Sequence, residues 1–92
     1  MIKSFIHRGL RDFWEKGKTN RIPPDLRKRI QGRLDALDGA KILSDLNVPG
    51  FDFHALDRQK PLRYTIHVNG NFCITFEWDG EGAVRVDLED YH

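Results

Sequence analysis

The sequence predicts an α+β fold in which two N-terminal helices pack on one face of a small antiparallel sheet, within a single domain spanning residues 1–92. In the first half, apolar residues recur every three or four positions, as they do along one face of a helix. In the second half they alternate, as they do in strands with one buried face. Asn-Gly and Asp-Gly pairs separate the alternating runs and are typical of hairpin turns. These observations together place helices before strands and favour antiparallel pairing.

Two helices are predicted in the N-terminal half. Residues 2–6 can form a short strand, and the first helix follows with an apolar stripe that includes Leu10 and ends at Gly17. The second begins after Pro23-Pro24-Asp25, because proline suits the first turn and an acidic residue there interacts favourably with the helix dipole. A further helical turn is expected within residues 40–46. The buried face of the second helix is formed by residues spaced four, four and three apart, namely Leu26, Ile30, Leu34 and Leu37.

Three alternating rows predict the strands of the sheet. We expect a three-residue loop between the first two rows, because a two-residue turn at Asn69-Gly70 would point one apolar row toward water. This register places His67 opposite Cys73, and the same reasoning places Glu77 opposite Arg85 as a cross-strand ion pair. The polar face is then expected to be uncovered. The apolar rows are Leu62, Tyr64, Ile66 and Val68; Phe72, Ile74, Phe76 and Trp78; and Val84, Val86 and Leu88.

Charge is divided unevenly along the chain. Residues 1–33 hold ten Lys or Arg and three Asp or Glu, a net of +7, whereas residues 34–92 hold five and eleven, a net of −6. The basic third suits a polyanion or an acidic partner, although a solvated basic helix face has the same composition. A single cysteine, Cys73, excludes an internal disulfide framework and suits a reducing cytoplasm. We expect no membrane span, signal peptide, metal or other cofactor, since none of the corresponding patterns occurs.

Several segments, in order along the whole chain, resemble the HigB family within the wider RelE/ParE toxin fold. The resemblance implies a toxin of a type II toxin–antitoxin system that cleaves mRNA in the ribosomal A site, next to 16S rRNA. It further implies neutralisation by a HigA-like helix-turn-helix antitoxin, through which alone the toxin would reach operator DNA. The matching segments are residues 1–5, Leu10 with residues 13–17, residues 33–38, residues 53–56, residues 68–76 and the tripeptide Asp90-Tyr91-His92.

Cleavage of RNA without a metal uses the adjacent 2′-hydroxyl as the nucleophile and needs a base, an acid and cations around the phosphate. His92 is the first candidate for proton transfer, because histidine titrates near neutral pH. His54, in the family's loop, could share proton transfer or bind a phosphate. Tyr91 could stack on a base or orient a hydroxyl, and Asp90 could orient a neighbour or close the last strand.

Basic residues divide into two candidate groups. The first, near the loop histidine and on the open sheet face, is expected to bind RNA phosphates and comprises Arg58, Lys60, Arg63 and Arg85. The second is expected to bind the ribosome and comprises Lys16, Lys18, Arg21, Arg27, Lys28 and Arg29. At two positions the chain departs from the family pattern, with Asp57 where members often have Lys and Cys73 where many have Arg.

Two other functions remain open from sequence. The related ParE toxins share the fold and inhibit DNA gyrase by binding, without catalysis. The changes at Asp57 and Cys73 also leave room for an inactive toxin that is retained as a co-repressor with its antitoxin. The histidines and Tyr91 favour the nuclease, because a pure binder needs no proton-transfer groups.

Overall fold

The computed structural model describes residues 1–90, and its secondary structure confirms the α+β fold. Helices precede a four-stranded antiparallel sheet whose strands are paired in chain order, β1-β2-β3-β4. The helical segments are α1 (Arg8–Lys16), a 3-10 turn (Pro24–Leu26), α2 (Arg27–Gly39) and a second 3-10 turn (Leu43–Leu46). The strands are β1 (His54–Leu56), β2 (Arg63–His67), β3 (Phe72–Trp78) and β4 (Ala83–Asp90).

Local chemistry explains where α1 begins and ends. The side chain of His7 caps the helix, with its Nδ1 accepting a hydrogen bond from the backbone N–H of Leu10 at 2.9 Å. Gly17 ends it in the left-handed conformation, φ 69°, and its N–H donates to the carbonyl of Phe13. The predicted end at Gly17 is therefore confirmed.

Residues 2–6 form two isolated bridges instead of the expected strand. Ile2 pairs with Ala83 and Phe5 with Val86, both in parallel orientation along the outer edge of β4. The backbone N–H of Lys3 donates to the carbonyl of Ala83 at 2.8 Å. The N-terminal segment thus covers part of an edge that would otherwise expose unpaired backbone groups.

The hairpin between β2 and β3 has the predicted register. Ile66 pairs with Ile74 and His67 with Cys73, and the N–H of Val68 donates to the carbonyl of Phe72 at 3.0 Å. Residues 69–71 therefore form the three-residue loop. The Asn69 side chain organises it by accepting hydrogen bonds from the backbone N–H groups of residues 71 and 72.

The predicted register between β3 and β4 is wrong beyond Thr75. Thr75 pairs with Asp87, but Glu77 pairs with Val84, so β4 contains one extra residue at a β-bulge. Arg85 lies at this bulge with φ 52°. The bulge exchanges the faces of its neighbours, so Ala83 (0% exposed) takes the core position expected for Val84.

The core lies between the helices and the apolar face of the sheet. Its fully buried side chains include Leu10, Ile30, Leu34, Ile74 and Phe76. The opposite, polar face was expected to be uncovered, but part of it is buried: a row of its side chains is less than a tenth exposed. The buried members of that face are Arg63, Thr65, Cys73 and Thr75. Within residues 1–90, no helix has the length and apolar character needed to cross a membrane.

Candidate functional site

His54 begins β1, opposite Thr65 of β2, and its side chain is 51% exposed. Its Nδ1 lies 2.7 Å from the carbonyl oxygen of Asp52. Because a carbonyl oxygen only accepts, Nδ1 carries the hydrogen, and Nε2 of the neutral ring is the proton acceptor. The Asp52 carboxylate, 4.0 Å from Nδ1, would interact favourably with the imidazolium that forms when Nε2 takes up a proton.

On the polar face of the sheet, hydrogen bonds connect five side chains into a network, which we call the floor. Its members are Arg63, Thr75, Glu77, Arg85 and Glu89. Arg63 Nη1 donates to Glu77 Oε2 at 2.9 Å, and Nη2 donates to Thr75 Oγ1 at 2.9 Å. Thr75 Oγ1 in turn donates to Glu89 Oε2 at 2.5 Å. The floor thus joins β2 to both ends of β4.

The floor uses Arg63 and Arg85 in different ways. The Arg63 side chain is 10% exposed and also donates to the carbonyl of Arg85 at 3.0 Å, so its guanidinium is occupied by protein groups. The Arg85 side chain is 62% exposed and uses only its Nε in the ion pair with Glu77, at 2.9 Å. Of these two predicted phosphate-binding residues, Arg85 is therefore the one whose guanidinium is accessible to a ligand.

Arg58 and Lys60 are exposed in the segment between β1 and β2. This segment follows directly from the strand that carries His54. A shallow cavity of about 350 Å³ is lined by residues 55–59, including Arg58. Both cations are therefore close to His54 in sequence and accessible to a ligand.

Asp90 is the last residue of β4 and lies opposite Phe72. Tyr91 and His92, the other two members of the predicted tripeptide, lie outside the described residues. β1 and β4 are the two ends of the strand order, and three strand spacings separate them by about 14 Å. His54 and Asp90 therefore lie on the two outermost strands of the sheet.

The six basic residues predicted to bind the ribosome lie at the end of α1, in the following loop and in the first turn of α2. Two of them also hold the fold together: Arg29 donates to the carbonyl of Val68 at 3.0 Å, and Arg27 to that of Thr19 at 3.5 Å. The other four are exposed, namely Lys16, Lys18, Arg21 and Lys28.

Sequence reasoning missed several residues that organise the site. Asp52 is invisible to periodicity because it acts through its carbonyl in a positive-φ turn, φ 47°. Thr75, Glu77 and Glu89 occupy predicted polar-face positions, but alternation alone does not show that they share one network. Among residues 1–90, no group of three or more His, Cys, Asp or Glu side chains is placed to hold a metal ion.

Known proteins that are similar in sequence identify the family of this chain. A family model described as a RelE-like toxin of the type II toxin-antitoxin system HigB matches residues 3–92. The chain belongs to this family. Endoribonuclease HigB of Proteus vulgaris is 38% identical over 92 residues, which is the full length of both chains. Toxin HigB-1 of Vibrio cholerae serotype O1 is 29% identical over 93 aligned positions, covering 99% of this chain and 98% of the relative. Membership of this toxin family implies that the chain has a cognate antitoxin.

Proposed function

We propose that this HigB-family toxin is an endoribonuclease that cleaves mRNA in the ribosomal A site, in the cytoplasm, without a metal. The observation that carries the proposal is the orientation of His54, whose Nδ1–H is held by the Asp52 carbonyl so that Nε2 can accept a proton. The Proteus vulgaris relative, named an endoribonuclease, supports the same activity. A toxin that acts only by binding needs no proton-transfer group, so the orientation of His54 favours the nuclease over a pure binder.

In the proposed reaction, His54 Nε2 takes the proton of the 2′-hydroxyl next to the scissile phosphate. The 2′-oxygen forms a bond to phosphorus, the bond from phosphorus to the 5′-oxygen breaks, and His92 donates a proton to that leaving oxygen. The products are a 2′,3′-cyclic phosphate and a 5′-hydroxyl. Because the attacking and leaving oxygens lie in line on opposite sides of phosphorus, base and acid should approach from opposite edges of the site. β1 and the end of β4 offer such a pair of edges.

Cations complete this site. Arg85, Arg58 and Lys60 would bind the phosphate and the charge that develops on it, while the buried Arg63 orients its neighbours. Tyr91 would stack on a base or orient the 2′-hydroxyl, and Asp90 would orient one of the two residues that follow it. The 2′-hydroxyl also makes the reaction specific for RNA.

The ribosome would be bound by the basic end of the helical layer. Arg27, Lys28 and Arg29 form the first turn of α2, which contains no acidic residue. Cations there oppose the helix dipole and cost stability. Hydrogen bonds from Arg27 and Arg29 to backbone carbonyls offset part of this cost, and the exposed Lys28 adds positive charge to the same surface. We propose that this turn and its basic neighbours contact 16S rRNA phosphates, and that a HigA-like helix-turn-helix antitoxin neutralises the toxin and links it to operator DNA.

The test is induction of the toxin in cells, comparing the parent chain with His54→Asn. Asparagine can still donate a hydrogen bond to the Asp52 carbonyl but cannot act as a base, so we expect mRNA cleavage to fall by about 10²- to 10⁴-fold. Rapid mRNA fragmentation by the parent and little by the variant supports the proposal. Filamentation with DNA breaks and intact mRNA would indicate a gyrase inhibitor instead. Growth inhibition by neither chain, with repression of the operon retained, would indicate a co-repressor.

A further inference from the structure

We propose that Arg63 is a positioning residue that fixes Arg85 as the arginine that contacts the scissile phosphate in the transition state. This inference rests on the proposed nuclease function and assigns distinct tasks to two arginines of the same site. Arg63 itself would not touch RNA, because its side chain is only 10% exposed.

The first support is a shared carboxylate oxygen. Arg63 Nη1 and Arg85 Nε both donate to Glu77 Oε2, each at 2.9 Å. The Glu77 side chain is 15% exposed, so this oxygen is largely shielded from water, and water competes little with the two charge-assisted bonds. Glu77 thus holds one edge of the Arg85 guanidinium and leaves both terminal nitrogens out of the ion pair.

The second support is the bulge that carries Arg85. A positive φ is uncommon for a residue with a side chain, and bulges next to active sites redirect side chains. Here both backbone polar groups of Arg85 are held by side chains, since its N–H donates to Ser4 Oγ at 2.9 Å and its carbonyl accepts from Arg63 Nη2 at 3.0 Å. Arg63 therefore restrains the backbone of Arg85 directly and its side chain through Glu77.

The third support is the charge of this group. Arg63, Glu77 and Arg85 together carry a net charge of +1, Glu89 brings the whole floor to zero, and burial decides where the positive charge is presented. Arg63 and Glu77 are shielded, whereas the Arg85 side chain is 62% exposed. A single cationic fork at the surface matches a phosphodiester, which can accept two parallel N–H bonds.

A double-mutant cycle tests this inference, using single-turnover cleavage of mRNA on ribosomes. Arg85→Ala should lower kcat by about 100-fold with little change in KM, as expected for a lost transition-state donor. Arg63→Lys keeps the charge but not the fork, and it should lower kcat by about tenfold. In the Arg85→Ala background, Arg63→Lys should change kcat by less than about twofold, because nothing is left for it to position.

Two further variants complete the design. Glu77→Gln keeps the shape of the floor but removes the negative charge between the two guanidiniums, so it should reproduce the pattern of Arg63→Lys if that variant fails to fold. Arg58→Ala removes an exposed cation outside the floor, and in that background the effect of Arg63→Lys on kcat should be undiminished. Circular dichroism establishes that each variant tested is folded.

The inference would be overturned if Arg63→Lys, or Glu77→Gln, had equal effects in the parent and Arg85→Ala backgrounds. Full activity of both Arg63→Lys and Glu77→Gln would also overturn it. Either result leaves the nuclease proposal standing, because the parent chain still cleaves. A parent chain that cuts no mRNA on ribosomes would instead refute the proposed function, and the inference with it.

Discussion

Thr75 is the residue at which the integrity of the floor can be measured most cleanly. It is 1% exposed, and its hydroxyl accepts a hydrogen bond from Arg63 and donates one to Glu89. Thr75→Val keeps the shape but leaves a buried guanidinium N–H unpaired and removes a donor from a carboxylate. Hydrogen bonds to charged groups contribute about 1.5–3 kcal/mol each, and the partial exposure of Glu89 reduces the contribution of its bond. We therefore expect Thr75→Val to lower the free energy of unfolding by about 3 kcal/mol.

Thr65 provides the matched control on the neighbouring strand. It is 2% exposed, and within residues 1–90 its hydroxyl has no hydrogen-bond partner. Thr65→Val therefore removes an unpaired buried polar group and should leave stability unchanged or raise it by about 1 kcal/mol. Urea unfolding monitored by circular dichroism, with equal m-values, measures both variants. Equal destabilisation by the two substitutions would refute the network as described.

Two further predictions concern the ion pair between Lys3 and Asp79 and the basic first turn of α2. The Lys3 side chain, with the N–H groups of Glu81 and Gly82, lowers the pKa of Asp79 from 3.8 to about 2. The stabilisation from this lowered pKa is complete above pH 3.8 and is lost as the pH falls through 2. Asp79→Asn should therefore flatten the pH dependence of the free energy of unfolding in that window, and an unchanged slope would contradict a stabilising Lys3–Asp79 ion pair. The triple variant Arg27→Ala, Lys28→Ala, Arg29→Ala should weaken ribosome association and reduce the slope of log affinity against log salt by about 2–3, and an identical slope would exclude α2 from the interface.

The helices and the β2–β3 hairpin could be predicted because their signals are local. The apolar spacing of α2, the stop at Gly17 and the turn at residues 69–71 each depend on residues within a few positions of one another. The position of the loop histidine was likewise available, from the family resemblance around residues 53–56. Local signals of this kind survive in the folded chain because the tertiary contacts agree with them.

The features that could not be predicted depend on contacts distant in sequence. The bulge at Arg85 is held by Ser4, 81 positions earlier, and it breaks an alternation that favoured Val84 over Ala83. Arg63 lies on the polar face, as alternation implies, but its burial follows from partners on β3 and β4. β1 is only three residues long and too short to show a period.

The most direct test of the central claim is primer extension on a defined mRNA incubated with the purified toxin, with and without ribosomes, beside the His54→Asn variant. We predict discrete cleavage in the ribosomal A site that requires both the ribosome and the imidazole, with 2′,3′-cyclic phosphate ends and no effect of EDTA at concentrations that leave ribosomes intact. Cleavage by His54→Asn at the rate of the parent chain would contradict it.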